Sequence, residues 1–295
     1  MVDEYAFGTN ETLKPQDSKK QHILYKIDMN LSGIVSICGM KVLLIKQFAF
    51  SNLYNVKFIS FPLVEKIGSC AFQNCRSINT ASFPRLLSLD DRVFSGCINI
   101  ETFIAPLLQF VGPYCFENCL NLSDFLAENT RMISSFCFAG TKLLRQFIIE
   151  NGSTELMPSA FEDSSIEFFH SNIRSLPQRC FANSKLKWLS VPMCREIGSQ
   201  CFVGLRELHI EAQQLNEQEV SNYFGITQIT IYNGTFMQWR QEKPVRRQNS
   251  TLSELNLEKD EQQEQILVFV RHANLKQLAL QHINQIQRSN DVFTD

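Results

Sequence analysis

The chain has 295 residues, 44% of them hydrophobic, and 28 basic against 30 acidic side chains give a formal net charge of −2. So balanced a charge offers no field for nucleic acid or an anionic membrane surface. The longest uninterrupted aliphatic run, Val42 to Ile45, is far short of the roughly 18 apolar residues of a membrane span.

Residues 1–30 are polar and carry no repeat; Tyr5-Ala6-Phe7-Gly8 only faintly echoes the phenylalanine segments downstream, and Pro15 to Lys20 reads as flexible chain. They are expected to form an N-terminal extension or cap. From Met1 to Lys20 there is no basic-then-apolar secretory pattern. The expected compartment is therefore cytoplasmic, with the cell surface as the alternative.

From residue 31 to 231 the chain repeats. Phe50, Phe72, Phe94, Phe116, Phe138, Phe161, Phe181, Phe202 and Phe224 succeed one another at intervals of 22, 22, 22, 22, 23, 20, 21 and 22 residues. A fixed period of this size is the signature of a solenoid. The residue before each phenylalanine is small and apolar: Ala49, Ala71, Val93, Cys115, Cys137, Ala160, Cys180, Cys201. Two residues after it stand Asn52, Asn74, Gly96, Asn118, Gly140, Asp163, Asn183 and Gly204, the types that best tolerate a left-handed turn. The next column, Leu53, Cys75, Cys97, Cys119, Thr141, Ser164, Ser184 and Leu205, alternates thiols and hydroxyls. A small donor there is expected to satisfy a turn carbonyl.

After each turn come apolar residues at positions 1, 4 and 6, as in Val56-Ile59-Phe61, Ile78-Ala81-Phe83, Leu122-Phe125-Ala127 and Leu186-Leu189-Val191. The last two have period two, which predicts a short strand with one buried face. Subtracting 22 from Val56 places a first strand at Ile34 to Val42.

These columns, and above all Ile67-Gly68-Ser69-Cys70-Ala71-Phe72-Gln73-Asn74-Cys75 with Ile78 and Pro84, resemble the BspA-type repeats of the leucine-rich repeat superfamily. The resemblance implies an α/β right-handed solenoid, here of about 12 coils of roughly 19–26 residues by the spacing of the repeats. Short parallel strands would line its concave face, with short 3-10, helical or extended segments on the convex face. It also implies a protein-interaction module, and in some relatives adhesion at a cell surface.

Pro62, Pro84 and Pro106 fall just after strands, where a residue without an N–H ends a ladder cleanly. After Ile166 the interval shortens to 20 and then, from Leu186 to Leu205, to 19. Residues 232–251 interrupt the pattern with Trp239, Pro244 and the basic group Arg240, Lys243, Arg246 and Arg247, read as an inserted basic loop. The template returns in 252–286 as divergent repeats, at Leu252-Leu255-Leu257 and Leu275-Leu278-Leu280, and 287–295 read as a tail.

Nothing in the spacing points to catalysis, a cofactor or a metal. The five histidines, His22, His170, His209, His272 and His282, do not sit at zinc-ligand spacing with cysteine pairs, and no phosphate loop or nucleophile elbow is present. Seven of the ten cysteines occupy the two small-residue columns, and the ten are expected to be reduced and mostly buried. An enzyme with a site around Trp239, His272 and His282 is the weaker reading. The stronger is a scaffold or recognition subunit, neither nucleic-acid-binding nor membrane-spanning, that binds a protein or peptide on the concave sheet.

Two rows of side chains are expected to face that surface: Phe58, Thr80, Thr102, Asp124, Gln146, Phe168, Trp188, Glu207 and Ser60, Ser82, Ile104, Leu126, Ile148, His170, Ser190, His209. Most are small and polar, so the apolar and aromatic members mark a candidate patch. The expected partner-binding residues are Phe58, Ile104, Leu126, Arg145, Ile148, Phe168, His170, Trp188 and His209.

Overall fold

A computed structural model of the chain describes residues 23–24, 36–39, 42–149, 154–213, 215 and 228–232. All lie in Met1–Gly234, the first of two compact units; the second is Thr235–Asp295. The basic loop, the divergent C-terminal repeats and the tail lie outside the described residues.

Within the described residues a coil contributes a long strand, a two-residue strand and a tight turn. The two-residue strands are β1 (Ile23–Leu24), β3 (Leu44–Ile45), β5 (Lys66–Ile67), β7 (Ser88–Leu89), β9 (Phe110–Val111), β11 (Met132–Ile133), β13 (Glu155–Leu156), β15 (Ser175–Leu176) and β17 (Glu196–Ile197). The long ones are β2 (Ser36–Cys38), β4 (Phe58–Ser60), β6 (Thr80–Ser82), β8 (Thr102–Ile104), β10 (Asp124–Leu126), β12 (Gln146–Ile149), β14 (Phe168–Ser171), β16 (Trp188–Ser190), β18 (Glu207–Glu211) and β19 (Gln228–Tyr232). All pairings among them are parallel. On the long-strand face β2, β4, β6, β8 and β10 form one sheet and β12, β14, β16, β18 and β19 another; opposite them, β1, β3, β5, β7, β9, β11 and β13 form a seven-stranded ladder and β15 pairs with β17. The chain is a parallel-strand solenoid. The first expected strand is present as β2, with Ile37 in register with Ile59.

The phenylalanine column is the core. Phe72 and Phe94 stack at 5.2 Å and 2°, Phe116 and Phe138 at 5.4 Å and 4°, and the column runs unbroken from Phe50 to Phe202. A second column packs against it and changes strand position midway. Phe61 and Phe83 occupy position 6, whereas Phe103, Phe125, Phe147 and Phe169 occupy position 4, with Ala81 and Ala105 filling the vacated places. One large ring is thus kept in each of these six coils while its attachment point moves, which preserves core volume.

Of the 3-10, helical or extended segments expected opposite the long strands, the described residues show the extended kind. No helix occurs among the described residues. Instead the backbone turns twice through positive φ in each coil: once at the expected Asn/Gly column, and once four residues earlier at Phe48, Cys70, Arg92, Tyr114, Phe136, Ser159, Arg179 and Gln200, where φ lies between 52° and 59°. Those conformations aim alternate N–H groups at the next coil. Cys70 N donates to Asp91 O at 2.8 Å, Phe72 N to Val93 O at 2.9 Å and Asn74 N to Ser95 O at 2.9 Å, while the intervening Ala71 and Gln73 bond within their own turn to Gly68 O and Cys70 O. A helix would direct its N–H groups along itself and leave the stacked coils without this ladder.

The Asn/Gly column is interlocked. A Cβ on Gly96, Gly140 or Gly204 would lie 2.4 to 2.5 Å from Oδ1 of Asn74, Asn118 or Asn183 in the preceding coil. Each of these glycines leaves room for the asparagine before it.

A candidate partner-binding surface on the long strands

On this face the strands are pinned in register, so side chains line up across coils. Gln146, Phe168, Trp188 and His209 occupy successive rungs of one row, and Ile148, His170, Ser190 and Glu211 those of the row beside it. The rings of Trp188 and His209 stack at 4.1 Å and 18°. In the second row His170 Nδ1 lies 2.8 Å from Ser190 Oγ, and Ser190 Oγ donates to Glu211 Oε2 at 2.6 Å. Since Ser190 gives its proton to the carboxylate, its lone pair accepts from a protonated Nδ1 of His170. The hydroxyl sits between imidazole and carboxylate. That order differs from a nucleophilic triad, where the imidazole stands between the other two, and Ser190 is only 3% exposed.

Charged residues rim the strand starts. Glu167 lies between Arg145, 3.0 Å from its Oε1, and Lys187, 4.0 Å from its Oε2, and His209 Nε2 is 3.3 Å from Glu207 Oε1. Among the described residues no three His, Cys, Asp or Glu side chains are grouped to hold a metal ion. Among the described cysteines all but Cys70 are buried, and burial pushes Cys115 up to about 12 and Cys194 up to about 11 and raises Cys97, Cys137 and Cys180 well above the usual thiol value.

The repeat columns identify the family. Its model, BspA type Leucine rich repeat region, matches in six copies over residues 43–167 and 174–293. The chain belongs to the BspA-type leucine-rich repeat family. No curated protein matches the chain's sequence. Among solved structures this BspA-type chain is similar to the T. pallidum leucine-rich repeat protein, at 18% identity over 63% of this chain and 89% of that one with a TM-score of 0.49. It is also similar to a leucine-rich cell surface protein of Faecalibacterium prausnitzii, at 16% identity over 72% and 87% with a TM-score of 0.36.

Of the nine expected partner-binding residues of the BspA-type chain, Phe58 and Arg145 are exposed and Ile104, Ile148, His170, Trp188 and His209 are half-buried. Leu126, 5% exposed, and Phe168, 9% exposed, are buried, so neither is the open anchor its strand position suggests. Phe58 and Ile104 lie in the first sheet with Leu126, apart from the cluster on β12 to β18. The register of the last row also needs correction. His209 stands beside Trp188, not Ser190, and Ser190 pairs with Glu211. Counting 19 residues from Leu186 to Leu205 misplaces this coil; the anchor interval, 21 from Phe181 to Phe202, gives the observed register and points to Glu211.

Proposed function

We propose that the chain is a non-enzymatic recognition module whose long-strand face, the one expected to be concave, binds a protein or peptide. One observation carries the reading: the stacked, half-buried rings of Trp188 and His209 stand beside half-buried His170, whose Nδ1 is held by the buried Ser190–Glu211 pair. Partly exposed aromatic rings beside a fixed imidazole suit a peptide, with the aromatic contacts supplying affinity and His170 a polar contact. Arg145, half of a solvated pair with Glu167, is placed to contact the rim of such a partner.

The reading extends to the compartment. Cys75, Cys97 and Cys119 each use the S–H to donate to a turn carbonyl one coil back, at 3.0, 3.0 and 3.1 Å. Oxidation would remove those donors, which supports a reducing compartment such as the cytoplasm. The test is affinity capture from the native cell with wild type and Trp188→Ala side by side, combined with intact-mass alkylation of the native protein. A partner bound by wild type and weakened at least tenfold by the substitution is expected, with thiols reduced. A mutant that keeps every wild-type partner would rule out the long-strand face, and several native disulfides would rule out the reducing compartment.

A further inference from the structure

Among the described residues, the backbone ladder on the long-strand face carries on from coil to coil except at one junction, though the last step has a single bond, from His209 N to Lys187 O. Asn79 and Thr80 N–H both donate to Lys57 O, Glu101 and Thr102 to Asn79 O, and Ser123 and Asp124 to Glu101 O; the pattern resumes with Glu167 and Phe168 to Arg145 O and Lys187 and Trp188 to Glu167 O, all at 2.7 to 3.2 Å. The corresponding bonds from Arg145 and Gln146 to Ser123 O are missing. So is the bond in the other direction: Phe61, Phe83 and Ala105 N–H donate to Ser82, Ile104 and Leu126 O, but Ala127 does not donate to Ile148 O. As a result β10 and β12 are edges of two different sheets. Gln146 adds a buried side-chain oxygen, Oε1, without a hydrogen-bond partner.

The rest of that junction is continuous. Phe125 and Phe147 stack at 5.4 Å, Phe116 N donates to Cys137 O at 2.8 Å, and β11 pairs with β13. At the next junction the break changes sides: β12 pairs with β14, while β13 and β15 belong to different sheets. The coil of β12 and β13 sits where the spacing changes: Ile133 to Leu156 is 23 residues and Leu156 to Leu176 only 20, and Pro177, just after β15, has no N–H to carry on the short-strand ladder. It is held to the preceding coil by its short strand and to the succeeding one by its long strand.

We infer that the coil of β12 and β13 is a hinge in the solenoid, tilting on its stacked phenylalanines so that the long-strand face opens between Leu126 and Ile148. Stacked rings tolerate a small tilt that strand hydrogen bonds, being directional, do not. The inference holds whether or not that face binds a partner.

Two measurements on the full chain test it. In native-state hydrogen exchange, the amides of Arg145 and Gln146 should exchange at least tenfold faster than those of Ser123, Asp124, Glu167 and Phe168. In double electron–electron resonance, with labels introduced through unnatural amino acids to spare the native thiols, the pair at 101 and 145 crosses the gap and the pair at 57 and 101 does not, though both span two coils. The crossing pair should give a distance distribution at least twice as wide. Equal protection overturns the hinge, and so do equal widths even where exchange is fast, because a rigid gap would give that combination.

Discussion

Cys97 donates its S–H to the carbonyl oxygen of Phe72, 3.0 Å away in the preceding coil, an oxygen that also accepts the N–H of Cys75 at 3.2 Å. The thiol is therefore a structural donor in its protonated form. Burial raises the thiol ionisation of the folded chain, to about 12 at Cys115 and about 11 at Cys194, from the ordinary 9.0. A group whose folded value is raised stabilises the fold fully below its unfolded value, and that contribution is lost as pH climbs to the folded value. Urea midpoints should be insensitive to these thiols below about pH 9 and fall steadily between about pH 9 and 12. Replacing Cys115 with serine should flatten that fall; an unchanged slope would show that the thiols do not cause it.

Phe116→Ala removes a ring that stacks on Phe94 and Phe138 and meets Phe103 and Phe125 edge-on. The expected cost is about 3 to 5 kcal/mol, because stacked coils cannot close the gap without losing register. The loss should be local. Hydrogen exchange should quicken most over residues 94–149, and uniform loss of protection across the described coils would contradict nearest-neighbour stacking.

Gly140→Ala should cost about 2 kcal/mol or more, since φ is +73° and the new methyl meets Asn118 Oδ1 at 2.5 Å. In an Asn118→Ala background the same change should cost less, leaving about 1 to 2 kcal/mol for the left-handed backbone alone. A double-mutant cycle by urea denaturation separates the two terms. A coupling energy of zero would show that the asparagine does not demand the glycine.

Trp188→Ala and Phe168→Ala should differ in kind. Trp188 is half-buried, and its stack on His209 contributes about 1 kcal/mol. Phe168, only 9% exposed, should cost about 3 kcal/mol or more when truncated. Thermal unfolding of the two single mutants checks this, and equal losses would mean that both rings serve the core alike.

The core is legible because it repeats: Phe50 through Phe202, the thiols of Cys75, Cys97 and Cys119 and the Asn/Gly turns each state the same fact several times. Features that occur once, or that leave no compositional trace, are not legible. The positive φ at Phe48, Arg92, Tyr114 and Phe136 is borne by residues that ordinarily avoid it, so no column of glycines announces the second bend. On the long-strand face, alternation rightly separates the two rows, but the burial of Leu126 and Phe168 depends on what surrounds the strands and period two carries no information about it. The place of Glu211 beside Ser190 turns on two residues of coil length. The missing bonds between β10 and β12 correspond to no change of residue type or of spacing there, since Leu122 to Leu144 is 22 residues as in the coils before.

The turn ladder has an electrical consequence. In an ordinary parallel sheet successive peptide groups point to opposite sides and their dipoles largely cancel. Along this edge the N–H groups of Cys70, Phe72 and Asn74 all point toward the next coil, as do those of Arg92, Phe94 and Gly96 and of Tyr114, Phe116 and Asn118 after them, while the opposing C=O groups point back. The partial charges therefore add from coil to coil, as they do along the axis of an α-helix. One edge of the solenoid is polarised along its length, negative toward Phe48 and positive toward Gly204. Acidic groups gain a little energy at one end and basic groups at the other, in a chain whose overall charge is nearly balanced.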